Sequence, residues 1–135
     1  MCNILFLCAG KCGRNTDTLG RMDHDAKRRL ARTGDISKEA ASFRLRAARE
    51  SLQPRRSQKA MAEEFGVPVT TYASWEIGDV FPSTDVIRHF LLEYEVDFNF
   101  VLFGDWRRLP SDVQERVFDA MLALQTKLEQ RSGSD

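Results

Sequence analysis

Two short amphipathic segments meet at Gly66, and this junction constrains the fold more than any other feature of the sequence. Ser57 is a good N-cap for the first segment, QKAMAEEF, which has apolar residues at helical spacing. Glycine adopts the left-handed conformation that ends a helix without a clash at Cβ. The second segment, VTTYASWEI, starts after Pro68, which is tolerated at a helix start, and runs to Gly78. The stretch predicts two helices joined by a tight corner.

Helical periodicity continues on both sides of this corner. Each of four further segments begins at a residue that can cap a helix: Ser37, Ser83, Asp97 and Ser111. Gln114, three residues after Ser111, would complete a capping box. No segment from Ser37 onward alternates with period two, so the pattern predicts an all-α fold. We expect five helices within residues 37–104, followed by a linker and an amphipathic helix at about 112–129 within residues 105–135.

Charge is distributed unevenly along the chain, although the net charge is zero. Residues 1–56 carry thirteen Lys/Arg against six Asp/Glu, a net +7, whereas residues 57–106 carry two against nine, a net −7. Residues 1–36 are polar and lack sustained periodicity, which predicts a disordered basic extension. Basic arms of this kind often contact nucleic acid, and the alternative is a disordered segment whose charge only aids solubility. The cations of this candidate arm are Lys27, Arg28, Arg29 and Arg32.

The first fourteen residues contain a cysteine–arginine spacing that invites an enzymatic interpretation. Cys8 and Arg14 stand in a C-x5-R pattern after the run ILFLCA. This loop at 8–14 resembles the phosphate loop of low-molecular-weight tyrosine phosphatases and arsenate reductases, in which a cysteine attacks. The resemblance does not extend further, because Asn15 replaces the expected Ser or Thr and no Asp-Pro follows. We therefore expect no enzyme activity.

The three cysteines, Cys2, Cys8 and Cys12, lack the paired spacing of a zinc site. We expect neither a metal nor a cofactor. The run ILFLCA is the longest apolar stretch and is far shorter than the roughly 20 residues that a membrane span needs. It also lacks a preceding basic residue, so a signal peptide is not expected. The sequence thus predicts a cytoplasmic protein without a membrane partner, and Met22 is a candidate alternative start.

A set of residues around the glycine corner carries a family resemblance. The set comprises Ser57-Gln58, Ala62, Gly66-Val67, Tyr72, Trp75-Glu76, Gly78 and Pro82-Ser83. In this register, from Arg44 to about Gly104, the chain resembles the phage-repressor and Cro-type (xenobiotic-response-element) helix-turn-helix family. The resemblance implies a five-helix repressor-like domain that binds double-stranded DNA sequence-specifically. It implies a transcriptional regulator, and we expect a repressor that reads the major groove with the helix at about 69–77.

The resemblance also assigns roles to individual positions. Base-contacting roles fall on Val69, Thr70, Thr71 and Ser74, whose methyls and hydroxyls can touch base edges. Phosphate-contacting roles fall on Gln58 at a helix start, on its neighbour Ser57, and on Arg55 and Arg56 in the preceding loop. Tyr72 and Trp75 would be buried. Glu76 would form a structural ion pair with Arg49.

Two further expectations concern partners. Proteins of this family usually bind DNA as dimers, and we expect a homodimer formed through the helix at 112–129, with completion of the monomer core as the alternative role of that helix. Because residues 57–106 are acidic, the alternative to DNA binding is a protein-interaction module with the helix-turn-helix fold.

Overall fold

The computed structural model describes residues 22–133, and residues 1–21 and 134–135 lie outside the described part. The expectations for the three cysteines, for the loop at 8–14 and for disorder before residue 22 fall on residues outside it. The described chain is all-α, as the sequence predicts, and contains no strand. Its helices are α1 (His24–Ala31), α2 (Lys38–Glu50), α3 (Gln58–Phe65), α4 (Val69–Ile77), α5 (Thr84–Tyr94), α6 (Phe98–Phe103) and α7 (Ser111–Gly133). None of these helices combines the length and the apolar content that crossing a bilayer requires.

Side-chain caps start four of these helices where the sequence predicts. The hydroxyls of Ser37, Ser57 and Ser83 accept from the backbone N–H three residues later, at 3.2, 3.1 and 3.3 Å. The Asp97 carboxylate accepts from the Asn99 N–H at 3.0 Å. Each bond satisfies one of the N–H groups that a helix start leaves without a partner. The predicted starts of α2, α3, α5 and α6 are confirmed.

The prediction that residues 1–36 form a disordered extension is wrong for α1. Asp23 caps this helix by accepting from the Ala26 N–H at 2.8 Å. The helix packs on α7, and Ala31 at its end is fully buried. An eight-residue helix is marginal in isolation, so α1 owes its order to this packing. Periodicity over so short and polar a segment does not reveal such a contact.

Two cations of the predicted arm make contacts within the fold. The Lys27 ammonium donates to the Gln114 side-chain oxygen at 2.7 Å and lies 5.3 Å from the centre of the Phe118 ring. The Arg32 guanidinium lies 4.1 Å from the centre of the Phe43 ring. Cation–ring contacts of this kind stabilise a fold, here by fixing α1 and the residue after it to α7 and α2. These two residues therefore do not form a free arm.

Arg44 joins the α1–α2 connection to α6 from a fully buried position. Its guanidinium donates to four backbone carbonyls, those of Ala31 at 2.8 Å, Arg32 at 2.5 Å, Asp35 at 2.7 Å and Val101 at 3.1 Å. Burial lowers the pKa of Arg44 to about 10, so the group stays charged at neutral pH. Carbonyl dipoles thus accept the hydrogen bonds that a buried cation requires.

Gly104, which ends α6, allows the close approach that this arrangement needs. Its φ is +83°, in the left-handed region. A Cβ at this position would lie 2.8 Å from the Ala31 carbonyl oxygen and 2.9 Å from Thr33 Cα. The backbone around it is also hydrogen bonded, because Gly34 N–H donates to the Phe103 carbonyl at 2.8 Å. A side chain at residue 104 would separate the α1–α2 connection from α6.

The core is centred on α2, which contacts α4, α6 and α7. Most of its buried residues are small, which allows neighbouring helices to approach closely. Besides Arg44, the fully buried ones are Ala40, Ala41, Leu45, Ala47 and Ala48. A single hydrophobic cluster contains residues of every helix from α1 to α7. Residues 105–133 therefore share one core with residues 37–104.

The last helix differs from its prediction in length and in its first turn. It runs from Ser111 to Gly133 and not over 112–129. Gln114 does not form the predicted capping box, because its side chain accepts from Lys27 and donates to the Trp106 carbonyl at 3.4 Å. The first turn of α7 is thus tied to α1 and to the preceding loop.

The buried apolar residues of α7 form one stripe. Its buried members are Val113, Val117, Phe118, Met121 and Leu124. Leu128, four residues after Leu124, continues the stripe beyond the core and is 41% exposed. Leu122 lies on the opposite side from Val113 and is 45% exposed. The helix therefore completes the core of its own chain.

Glu95 ends α5 in the left-handed conformation, with φ 60°. A side chain there is strained, whereas glycine is not. We expect Glu95→Gly to raise the free energy of unfolding by about 1 kcal/mol, as measured by urea denaturation.

Glu93→Gly is the matched control, since the same change falls within the last turn of α5. It should lower the free energy of unfolding by about 0.5–1 kcal/mol. A loss of stability in Glu95→Gly equal to that of the control would contradict the assignment of strain.

Candidate nucleic-acid interface

The corner between α3 and α4 is built as the sequence predicts. Gly66 ends α3 with φ 70° and ψ 33°, and its N–H donates to the Glu63 carbonyl at 3.2 Å. The Val67 N–H donates to the Ala62 carbonyl at 3.0 Å, which closes the turn. Ala62 is almost fully buried, so the two helices approach closely beside it. The chain therefore changes direction within two residues.

The inward face of α4 is aromatic. Tyr72 is fully buried and Trp75 is nearly so, with their ring centres 5.7 Å apart in an edge-to-face arrangement. Both were predicted to be buried. This anchoring fixes the rotation of α4 about its own axis and hence which residues face outward.

The outward face of α4 carries the predicted base-contacting residues with unequal exposure. Val69 is 42% exposed and Thr70 is exposed, whereas Thr71 and Ser74 are half-buried. The Ser74 hydroxyl donates to the Thr71 carbonyl at 2.7 Å, so it can only accept from a ligand. The most accessible part of this face is the first turn. Pro68, the N-cap residue, gives no side-chain cap there.

The predicted ion pair between Arg49 and Glu76 is present. Arg49 Nε donates to Glu76 Oε2 at 2.7 Å and Nη2 donates to Oε1 at 3.1 Å, which makes the pair bidentate. The side chains are 8% and 0% exposed. Burial opposes the charge of Arg49, but the hydrogen bond and charge of Glu76 outweigh it and raise the pKa of Arg49. The pair fixes the end of α4 to α2.

The same network reaches the predicted phosphate-contacting residues. Arg49 Nη1 donates to the Arg56 carbonyl at 2.8 Å, which orders the loop before α3. The Gln58 side-chain amide donates to Glu76 Oε1 at 3.0 Å. The Ser57 hydroxyl oxygen caps α3. Gln58 and Ser57 are thus hydrogen bonded within the protein, which leaves the second amide N–H of Gln58, its side-chain oxygen and the Ser57 hydroxyl proton for other contacts.

A surface groove of about 730 Å³ brings most of the predicted site together. Its lining residues are Arg46, Arg49, Arg55, Arg56, Ser57, Gln58, Lys59 and Val69. Five of the eight are cations and none is acidic. We call this surface the basic groove. It lies at the starts of α3 and α4, where free backbone N–H groups also favour an anion.

Nearby carboxylates reduce the positive charge of the basic groove. Glu50 lies 3.0 Å from Arg46, 3.5 Å from Arg49 and 3.1 Å from Arg55. The Arg55 side chain is nevertheless 65% exposed, and exposed ion pairs contribute only about 0–1 kcal/mol. A phosphate can therefore compete with Glu50 for Arg55. Lys59 has no carboxylate partner within residues 22–133.

The ion pair of Arg56 is harder for a phosphate to displace than that of Arg55. Glu64 Oε1 lies 2.7 Å from Arg56 Nη2, and Glu64 also bonds His89 and the Tyr94 hydroxyl. Partial burial would raise the pKa of Glu64, but these hydrogen bonds and the charge of Arg56 lower it. Burial and the bond to Glu64 raise the pKa of Tyr94 to about 12, so its hydroxyl stays a donor. A phosphate would have to draw Arg56 out of this cluster.

Sequence reasoning missed two cations of the basic groove, Arg46 and Lys59. Arg46 lies one helical turn before Arg49, on the same side of α2. Lys59 directly follows Gln58 at the start of α3. Arg46 could have been found from its helical spacing to Arg49, the predicted ion-pair residue. Lys59 could have been found from its place beside Gln58, a predicted phosphate contact. The arm cations Lys27 and Arg32 were considered instead and do not line the groove.

Comparisons with protein-family models, with curated proteins and with solved structures find no match to this chain.

Breaking either side of the Arg49–Glu76 pair should destabilise the fold strongly, because an unpaired buried charge remains. We expect Arg49→Ala and Glu76→Ala each to lower the free energy of unfolding by about 3–5 kcal/mol, measured by circular dichroism during urea denaturation.

Arg46→Ala is the matched control, because the Arg46 side chain, which pairs with Glu50, is 40% exposed. It should change stability by less than about 1 kcal/mol. Urea denaturation curves of Arg49→Ala and Glu76→Ala that overlay the curve of the wild type would refute the structural role of the pair.

Proposed function

We propose that the protein is a sequence-specific double-stranded DNA-binding transcriptional regulator of the phage-repressor and Cro type. The observation that carries this proposal is the basic groove, which is lined by five cations and no carboxylate and lies beside the starts of two helices joined by a tight corner. Duplex DNA presents phosphates beside base edges, and such a corner can meet both at once. We further propose that it acts as a repressor in the cytoplasm, by occupying a promoter.

In this proposal α4 enters the major groove and the basic groove follows the adjacent phosphates. Val69 and Thr70 make the first contacts with base edges, since they are the exposed members of the four base-contacting candidates. Their methyl groups suit a thymine methyl, and the Thr70 hydroxyl can donate or accept. Thr71 and Ser74 add contacts from half-buried positions. Arg55 and Lys59 contribute most of the phosphate binding.

The charge balance limits how the protein can bind. Residues 57–106 have a net charge of −7, so general attraction to DNA is weak. Binding at physiological salt then depends on the correct placement of a few cations and on base contacts. This favours a regulator with a marked preference for one sequence over a general DNA-coating protein.

Salt dependence on a duplex enriched from random DNA tests the proposal. Each phosphate contact contributes about −0.9 to the slope of log affinity against log salt. We expect Arg55→Ala and Lys59→Ala each to weaken binding to all sequences alike and to reduce the slope by about 0.9. Thr70→Val should leave the slope unchanged but alter the base preference by about 1 kcal/mol.

Arg88→Ala is the control, because Arg88 is an exposed cation on α5 that does not line the basic groove. It should leave affinity and slope close to those of the wild type. Equal slopes for the wild type and for Arg55→Ala and Lys59→Ala would contradict the proposal.

The competing function is a protein-interaction module with the same fold. It is favoured by the carboxylates beside Arg55 and Arg56, which already satisfy part of their charge. Absence of any enriched DNA sequence at 50 mM and at 150 mM salt, for a protein that is folded by circular dichroism, would favour this function.

We also propose a homodimer on DNA, with two half-sites roughly 34 Å apart. Within α7, Leu122 is the apolar residue that lies off the buried stripe and is exposed. We expect Leu122→Glu to shift the protein from dimer to monomer in sedimentation velocity, since a charge there would enter the interface. An unchanged dimer would exclude this face of α7.

A further inference from the structure

A second concave surface lies between α2, the end of α4 and α7, next to the basic groove, with which it shares Arg46. It is a pocket of about 380 Å³, within the range of roughly 300–1,000 Å³ that small-molecule sites occupy. Its apolar wall is formed by Phe43, Ile77, Leu124 and Leu128. We call it the α2–α7 pocket. An apolar body can be buried against this wall.

Two cations of the α2–α7 pocket have no carboxylate partner within residues 22–133: Arg32 and Lys127. The Arg32 guanidinium stacks on the Phe43 ring at 4.1 Å. Stacking holds the guanidinium plane in place and leaves its N–H edges available to an acceptor. Lys127 is exposed on α7 and supplies a second ammonium donor.

The other charged residues of the lining already have partners. Glu76 is paired with Arg49, and Arg46 with Glu50. Arg131 also lines the pocket and is engaged in an interaction of its own. Glu39 is the remaining carboxylate of the lining, and its charge opposes one of the cations. This balance favours a ligand with a single negative charge over one with several.

Ser42 supplies an independent indication of a ligand. It lines the pocket and is only 2% exposed, and its hydroxyl is buried with no hydrogen-bond partner within the described chain. Buried hydroxyl groups are nearly always hydrogen bonded, because leaving one unsatisfied is costly. A polar ligand atom at the α2 side of the pocket would satisfy it.

We propose that the α2–α7 pocket binds a small monoanion with an apolar body, of the carboxylate or sulfonate class. The apolar part lies against Phe43, Ile77 and Leu124, and the anionic group accepts hydrogen bonds from Arg32 and Lys127. This binding does not depend on the proposed DNA function, because none of these residues lines the basic groove.

Fluorescence titration of the full chain with 8-anilinonaphthalene-1-sulfonate tests the proposal. This probe combines an apolar ring system with one sulfonate. We expect saturable binding of one molecule per chain. N-phenyl-1-naphthylamine, which has the same rings without the sulfonate, should bind at least tenfold more weakly, as expected when charge-assisted hydrogen bonds are lost. Comparable binding of the two probes would overturn the proposal.

Two variants locate the probe. Arg32 also lines a groove beside Leu122, and Lys127 also lines a concavity beside Asp119, but the α2–α7 pocket contains both cations. We therefore expect Arg32→Gln and Lys127→Gln each to weaken sulfonate binding by about tenfold. Arg88→Gln, on α5, is the control and should leave binding unchanged.

Weakening in both variants supports the pocket, and weakening in only one or in neither overturns it. Lys127 is exposed, so Lys127→Gln keeps the test valid if Arg32→Gln proves unstable by circular dichroism. In that case full retention of binding by Lys127→Gln is the result that overturns the proposal.

Discussion

The arrangement of the candidate interface depends on the buried ion pair between Arg49 and Glu76. One guanidinium joins α2 to the end of α4 and, through the Arg56 carbonyl, orders the loop before α3. Gln58 adds a hydrogen bond from the start of α3 to the same carboxylate. A bidentate pair has little freedom of orientation, so it fixes the relative positions of three helices. The outward face of α4 and the cations of the basic groove are positioned together as a result.

A second buried arginine, in the middle of α2, performs a comparable task. Arg44 has no carboxylate partner among its hydrogen bonds and holds backbone carbonyls from the α1–α2 connection and from α6. Moving either segment away would leave the buried guanidinium without hydrogen-bond acceptors, which costs free energy. Arg44 therefore holds both segments in place. The α2 helix therefore organises the protein through two arginines, one facing the candidate interface and one facing α1 and α6.

Much of the fold between Ser37 and Gly104 could be predicted from the sequence, because caps and glycines act locally. Ser57, Gly66 and Asp97 set helix ends through hydrogen bonds within a few residues. The order of α1 could not be predicted, since it comes from packing on α7. The burial of Arg44 was missed for the same reason: its acceptors are distant carbonyls that leave no pattern in the sequence. In the candidate site, the hydrogen bonds that Gln58 and Ser74 form within the protein could likewise not be predicted from the sequence.

In the proposed complex, the first turn of α4 and the basic groove contact one DNA duplex together. Amide chemical-shift mapping of the full chain, titrated with the duplex enriched from random DNA, measures this most directly. We expect the largest shifts at residues 55–59 and 69–74, with little change in α5. Largest shifts in α5 or α7, or none at residues 69–74 despite saturation, would contradict it.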